Sequence, residues 1–263
     1  MRLLLLLFLP YFLYASAIET PLLRIDNDKA TIQVPTIDIG VSGFIVRHFN
    51  EEHSAIIANA VVSDVNTQRQ EATLTLSDYD GLVQNSLPNG TWTPKEGDIA
   101  VLAFSYERAM LIAPSDDIYH NITSRIKTIN WVHPDGFAAF LSYRGHPTPL
   151  AEDIQNYCGI ASVGLVYFYS DQALFTLDCK SLTLLQITPA AMEVENQKLP
   201  FYSMVENIEE NWFGEGSDPL ESYDPHYMEL LVLNNPKNKK LYEYIKSNDS
   251  NSSVLLDEFE IED

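Results

Sequence analysis

The segment CGIASVGLVYFYSDQALFTLDC, residues 158 to 179, holds both cysteines of the chain, one at each end of a run that reads as a β-hairpin. With a two-residue turn at Ser170-Asp171, alternation puts Gly164, Val166 and Phe168 on one face with Ala173, Phe175, Leu177 and Cys179. That face is apolar throughout, so it has to be covered by a core. The preceding PLAEDIQNYC carries Leu150, Ile154, Tyr157 and Cys158 at helical intervals, and Gly159 stands where a helix commonly stops. A helix laid on the hairpin brings Cys158 toward Cys179, and the expectation is a disulfide between them. Two alternatives lack their motifs. Zinc has no C-x-x-C pair and no histidine beside either cysteine in sequence, and reactive thiols sit more often in short exposed motifs.

Compartment supports the bridge. The chain opens MRLLLLLFLPYFLYASAIET: Arg2, an apolar run from Leu3 to Tyr14, then Ala15-Ser16-Ala17. These are the three parts of a secretory signal peptide, residues 1–17, with the mature chain starting near Ile18. The run is short for a bilayer span and no second apolar stretch of about 18 residues follows, so no integral membrane segment is expected after cleavage. No cysteine follows the cleavage site, which argues against a lipid anchor. Export places the cysteines in an oxidising space, where a bridge is the default.

Charge narrows the partners. The formal net charge of −21 repels nucleic acid and anionic lipid alike. Residues 192–229 hold ten acidic groups against Lys198 alone, and residues 247–263 hold six with no base. No D-x-D-x-D-G loop is present, so these acids read as solvated surface rather than a calcium site.

Three regions follow one another. Residues 18–104 form strand after short strand, which suggests a small antiparallel β sandwich or barrel. Residues 105–190 alternate strands with helices, a compact α/β layer. Within it Ser115 is a natural N-cap for SDDIYHNITSRI, with Asp116 and Asp117 in the positive first turn rather than as a catalytic acid pair. Residues 191–263 read as an acidic, irregular extension with one helix at KNKKLYEYIK and a disordered tail. The fold class is α+β.

Catalytic motifs are missing from the sequence. The histidines 48, 53, 120, 133, 146 and 226 form no H-E-x-x-H pair, GEGSDP around Ser217 has neither flank of a nucleophile elbow, and no phosphate-binding glycine loop occurs. The chain reads as a non-enzyme without a cofactor, with a site assembled from distant residues as the alternative.

The order of segments carries a resemblance. GFIVRHF, SAIIANAVV, KEGDIAVLAF, LIAPSDDIY, CGIASVGLVY with its later DC, and LPFYSMVENI fall in the order that resembles the N-terminal region of the plasminogen-binding surface proteins of host-associated spiral Gram-negative bacteria, over roughly residues 36 to 208. The resemblance implies an exported protein, in the periplasm or at the cell surface, that captures the host protease precursor plasminogen and has no catalytic residue. It also implies lysine-dependent contacts. Such proteins carry a Lys-rich tail ending in Lys, which kringle modules grip by its ammonium and terminal carboxylate; here the sequence closes on Asp263, and the candidates are Lys237, Lys239, Lys240 and Lys246 beside Glu243. The alternative is a periplasmic structural or assembly protein of the envelope with no host ligand. Of the N-x-[ST] triplets at Asn89, Asn121, Asn248 and Asn251, only Asn251 has an acid two positions earlier, Asp249, as some bacteria of this kind require; it is the candidate glycosylation site.

Overall fold

The structure is a computed structural model that describes residues 17–79, 81, 92–248 and 251–261. All of the expected signal peptide except Ala17, together with Asn89 and Asp249, lies outside the described residues.

Six antiparallel strands close into a barrel: β1 (Ile18–Asp26), β2 (Lys29–Gln33), β3 (Ser42–His48), β4 (Ser54–Asn66), β5 (Glu71–Asp78) and β6 (Ile99–Leu102), in the order β1-β2-β5-β4-β3-β6. The last strand returns to the first, Ile18 opposite Leu102 and Pro21 opposite Ile99. Alternation decides which side chains fill the inside: Ala30 and Ile32, Ala58, Ala60 and Val62, Ala72 and Leu74, Ala100 and Leu102 are buried. Alanine at so many inward positions suits so few strands, because a narrow barrel has little room at its axis. Gly43 meets the same constraint from the backbone, since a Cβ there would run into the Val101 carbonyl. Arg47 on β3 reaches Asp98 with two parallel bonds, Nε to Oδ1 at 2.9 Å and Nη2 to Oδ2 at 2.7 Å. Burial pushes the Asp98 carboxyl up, but the bonds from Arg47 and from the Lys95 backbone outweigh it and hold the group below its usual range.

The α/β layer is a five-stranded mixed sheet, β11-β10-β9-β7-β8, formed by β7 (Arg108–Ile112), β8 (Asn130–Val132), β9 (Leu165–Ser170), β10 (Ala173–Asp178) and β11 (Leu184–Pro189). Strand β7 lies between β9 and the edge strand β8 and runs parallel to both. Helix α1 (Asp116–Arg125) links β7 to β8; α2 (Asp135–Arg144) and α3 (Ala151–Ala161) link β8 to β9. Ser115 caps α1 as expected, its hydroxyl accepting from the Ile118 amide.

Every residue of β9 and β10 is buried. Val166, Phe168, Phe175, Leu177 and Cys179 face α2 and α3, while Leu165, Tyr167, Tyr169 and Leu174 join the barrel interior in a second core. Ser170 pairs with Ala173, so the hairpin turn is Asp171-Gln172 rather than Ser170-Asp171, with both residues left-handed at φ 46° and 61°. Moving the turn by one residue moves each cross-strand partner by two, and the faces stay as read. Helix α3 runs through Gly159 and stops at Ser162, whose left-handed backbone returns its amide to the Cys158 carbonyl. Cys158 and Cys179 are bridged, with their Cα atoms 5.8 Å apart.

The region expected to be irregular completes the other core, the one on the α2 and α3 side of the sheet. Helix α4 (Tyr223–Asn234) buries Tyr223, Tyr227, Met228, Leu231 and Val232, and α5 (Lys239–Ser247) buries Leu241 and Ile245. The tail expected to be disordered instead forms a 3-10 helix, Asn251–Glu258, and packs Leu255, Leu256 and Phe259 onto that core. Three apolar side chains among the acids suffice to dock it, and the Glu260 amide bonds back to the Pro236 carbonyl at 2.9 Å.

One carboxylate joins the two layers. Asp178 is fully buried; its Oδ2 accepts from the Ser42 amide (2.9 Å), the Ser42 hydroxyl (2.8 Å) and the Tyr106 hydroxyl (2.6 Å). Its Oδ1 accepts from the amides of Lys180 (3.0 Å) and Ser181 (2.8 Å). Five donors from the barrel, its exit loop and the hairpin end therefore converge on one side chain, which makes its buried charge tolerable.

Candidate functional site

In an open α/β sheet the natural crevice lies at the carboxyl ends of the strands where the winding reverses, here beyond β7. The chain itself occupies that place. The amides of Lys198 and Tyr202 donate to the carbonyls of Pro114 and Ala113 at 2.7 and 2.8 Å, laying residues 198–202 across the strand ends. Phe201 stacks on Phe137 at 5.5 Å between ring centres, and the hydroxyls of Tyr223 and Tyr227 close on the carbonyls of Ile112 and Pro200, each at 3.0 Å. Burial drives both phenols well above their ordinary range. The hydroxyl of Tyr202 bonds to Asp116, which together with burial lifts it to about 12. Asp116 also meets His120 at 2.7 Å, so it serves the helix start and this strap, while Asp117 remains exposed in the first turn. His133, just after β8, packs its ring on Tyr119 at 5.3 Å, and His120 packs on the same Tyr119 ring at 5.5 Å. Sequence spacing gave no hint of that meeting. Among the described residues no group of three or more His, Cys, Asp or Glu is placed to hold a metal ion.

The expected lysines do gather. Lys237 stands before α5 and pairs with Glu260 at 3.6 Å; Asn238 caps the helix by accepting from the Leu241 amide at 3.1 Å. Lys239, Lys240, Glu243 and Lys246 are all exposed, and Leu241 and Ile245 hold the opposite side of the helix in the core. Positions 239, 243 and 246 share one stripe by helical spacing, so lysine ammonium groups alternate with one carboxylate along it. The Lys246 ammonium lies 5.4 Å from the centre of the Tyr242 ring. A short helix fixed by two buried aliphatic residues thus presents cations and one acid to solvent. Asn251 opens the 3-10 helix and Asn248 ends α5, whereas Asn121 is within α1.

Relatives bear on this arrangement. The family described as "Plasminogen-binding protein pgbA N-terminal" matches residues 17–231. The chain belongs to this family. Two plasminogen-binding proteins PgbA of Helicobacter pylori, from strains J99 / ATCC 700824 and ATCC 700392 / 26695, are 28% and 26% identical to it over 212 residues. Those stretches cover 79% of this chain and 46% of each relative, so the chain spans about half the length of the curated relatives it matches. No solved structure matches. The PgbA family match contains the barrel, the five-stranded sheet, the disulfide and α4 as far as Leu231; the lysine helix α5 lies beyond it. The family's description is that of a binding protein rather than an enzyme, and among the described residues no helix is long and apolar enough to cross a membrane.

Proposed function

We propose that this protein is exported to the periplasm or cell surface and binds plasminogen, with α5 supplying the lysine-dependent contact. The observation that carries the reading is the exposed stripe of Lys239, Glu243 and Lys246, flanked by Lys237 and Lys240, on a helix anchored to a PgbA-family fold. A terminal lysine offers a kringle an ammonium and a carboxylate on one short stem. Lys239 and Glu243, one helical turn apart with Cβ atoms about 6 Å from each other, offer the same two charges from the side of a helix.

The test is binding of the purified mature chain to immobilised plasminogen, with a free lysine analogue as competitor. Displaceable binding is expected, and replacing Lys237, Lys239, Lys240 and Lys246 by Ala is expected to abolish it with the melting temperature unchanged. Full retention in that variant would move the contact onto the barrel and sheet. One observation favours a second reading, an envelope structural or assembly protein with no host ligand: the matched region stops at residue 231, short of every one of these lysines. On that reading the chain ignores plasminogen and copurifies with envelope partners.

A further inference from the structure

The loop between the strap and α4 is held at both ends and bare at its tip. The Glu209 amide donates to the Ser142 hydroxyl at 2.8 Å, and Asn211 bonds twice to the end of α2, its amide to the Gly145 carbonyl at 3.0 Å and its side chain to the Arg144 carbonyl at 2.7 Å. On the return, the Thr148 amide donates to the Gly216 carbonyl at 3.1 Å and the Thr148 hydroxyl to the Asp218 carbonyl at 2.7 Å. Between these anchors Trp212 is 99% exposed and Phe213 87% exposed, and Tyr143, adjacent in sequence to the α2 anchors Ser142 and Arg144, is 89% exposed. Isolated exposed apolar residues are ordinary; two adjacent large aromatic rings on a pinned loop are not.

Charge says what covers them. Glu206, Glu209, Glu210, Glu215, Asp218 and Glu221 surround the tip in sequence, and no Lys or Arg occurs between residues 199 and 236. The cation that the anchors bring near, Arg144, is engaged by Glu152 at 2.8 Å and by buried Asp153 at 3.5 Å. An anionic headgroup or a nucleic acid is repelled by such a rim. A lysine or arginine fits it: the stem lies along an aromatic face, the cation meets the ring quadrupole and the carboxylates take its charge. The geometry points to a second docking site, formed by Trp212 and Phe213 within their acidic rim, for a basic and partly apolar segment of a partner protein. It is opposite in charge to α5, so it is independent of the lysine-dependent reading, and the two sites present complementary demands to whatever they hold.

The probe is a synthetic helical peptide of alternating Lys and Leu faces, immobilised and titrated with the mature chain. W212A/F213A is expected to weaken binding about tenfold, the scale of a lost interface aromatic. E209Q/E210Q/E215Q is expected to weaken it and flatten its salt dependence, while the four-lysine Ala variant binds as the parent does. Equal binding by the parent and W212A/F213A overturns the proposal, as does equal binding of a Glu/Leu peptide. A blue shift of Trp212 emission on neutral phosphatidylcholine vesicles, without response to the Lys/Leu peptide, would overturn it in favour of a lipid surface. The substituted tip side chains contribute to neither core, so an unchanged melting temperature shows that folding is intact.

Discussion

The barrel and the α/β layer solve the same burial problem in opposite ways. The barrel covers one face of its sheet by curling it shut over alanines, with three pairings between consecutive strands and three, β2 with β5, β3 with β6 and β1 with β6, between strands of the same 85-residue stretch, 18–102. The mixed sheet is buried on both faces, by the barrel on one side and by α2 to α5 on the other, and those helices come from stretches far apart in the chain. A closed sheet leaves no edge unpaired; a two-faced sheet depends on distant parts arriving. Damage in the second layer is therefore expected to spread further than damage in the first.

The sharpest way to break this contrast is Tyr227→Ala. Tyr227 is wholly buried on α4 with its ring 5.3 Å from Phe168 and its hydroxyl on the Pro200 carbonyl, so its loss is expected to destabilise the chain by about 4 kcal/mol. Amide exchange should quicken across β9, β10 and the strap at residues 198–202, and least in the barrel; uniform quickening would show one cooperative unit. Replacing Cys158 and Cys179 by Ala comes next, at about 3 kcal/mol for a loop of this size in the chain-entropy account. Denaturant melts of the variant, beside non-reducing peptide mapping of the parent, measure it. Recovery of both thiols free from native protein would contradict the bridge.

Ser42→Ala tests the joint between the layers. It removes one of five donors from Asp178 and is expected to destabilise by about 2 kcal/mol, the range for a bond to a buried charge. The smallest effect belongs to the barrel's own ion pair. Because the Asp98 carboxyl titrates below its unfolded value, its stabilisation is present above about pH 4 and is lost as pH falls through the lower folded value. Asp98→Asn should lower the melting temperature at neutral pH and make its fall on acidification shallower. An unaltered acid limb would assign acid sensitivity to other carboxylates.

The same contrast explains what the sequence revealed. Period-two alternation marks a sheet covered on one face, and the barrel strands were legible for that reason, although the choice between sandwich and barrel was not: it rests on β1 meeting β6, which no local pattern records. The hairpin's face and the Cys158–Cys179 bridge were legible because apolar parity survives a slip in turn position. Helix α4 was missed although Tyr223, Tyr227, Met228, Leu231 and Val232 keep helical spacing, because the surrounding run of acids reads as solvated surface. The lysine candidates were visible as composition. The strap, the approach of His133 to Tyr119 and the bare tip at Trp212 are products of tertiary approach and leave no periodic trace.

The pairing of β1 with β6 also sets an order of events. A chain emerges with its amino end first, so β1 exists well before the strand that will cover its open side. Until residues 99–102 are out, five strands stand as an unclosed sheet with two bare edges, a shape that invites pairing with a neighbour's edge. The five-stranded sheet cannot relieve this, because its own strands come later still. A fragment stopped before β6 should therefore associate with itself, and the period before the barrel shuts is when a nascent copy would gain most from a chaperone's hold.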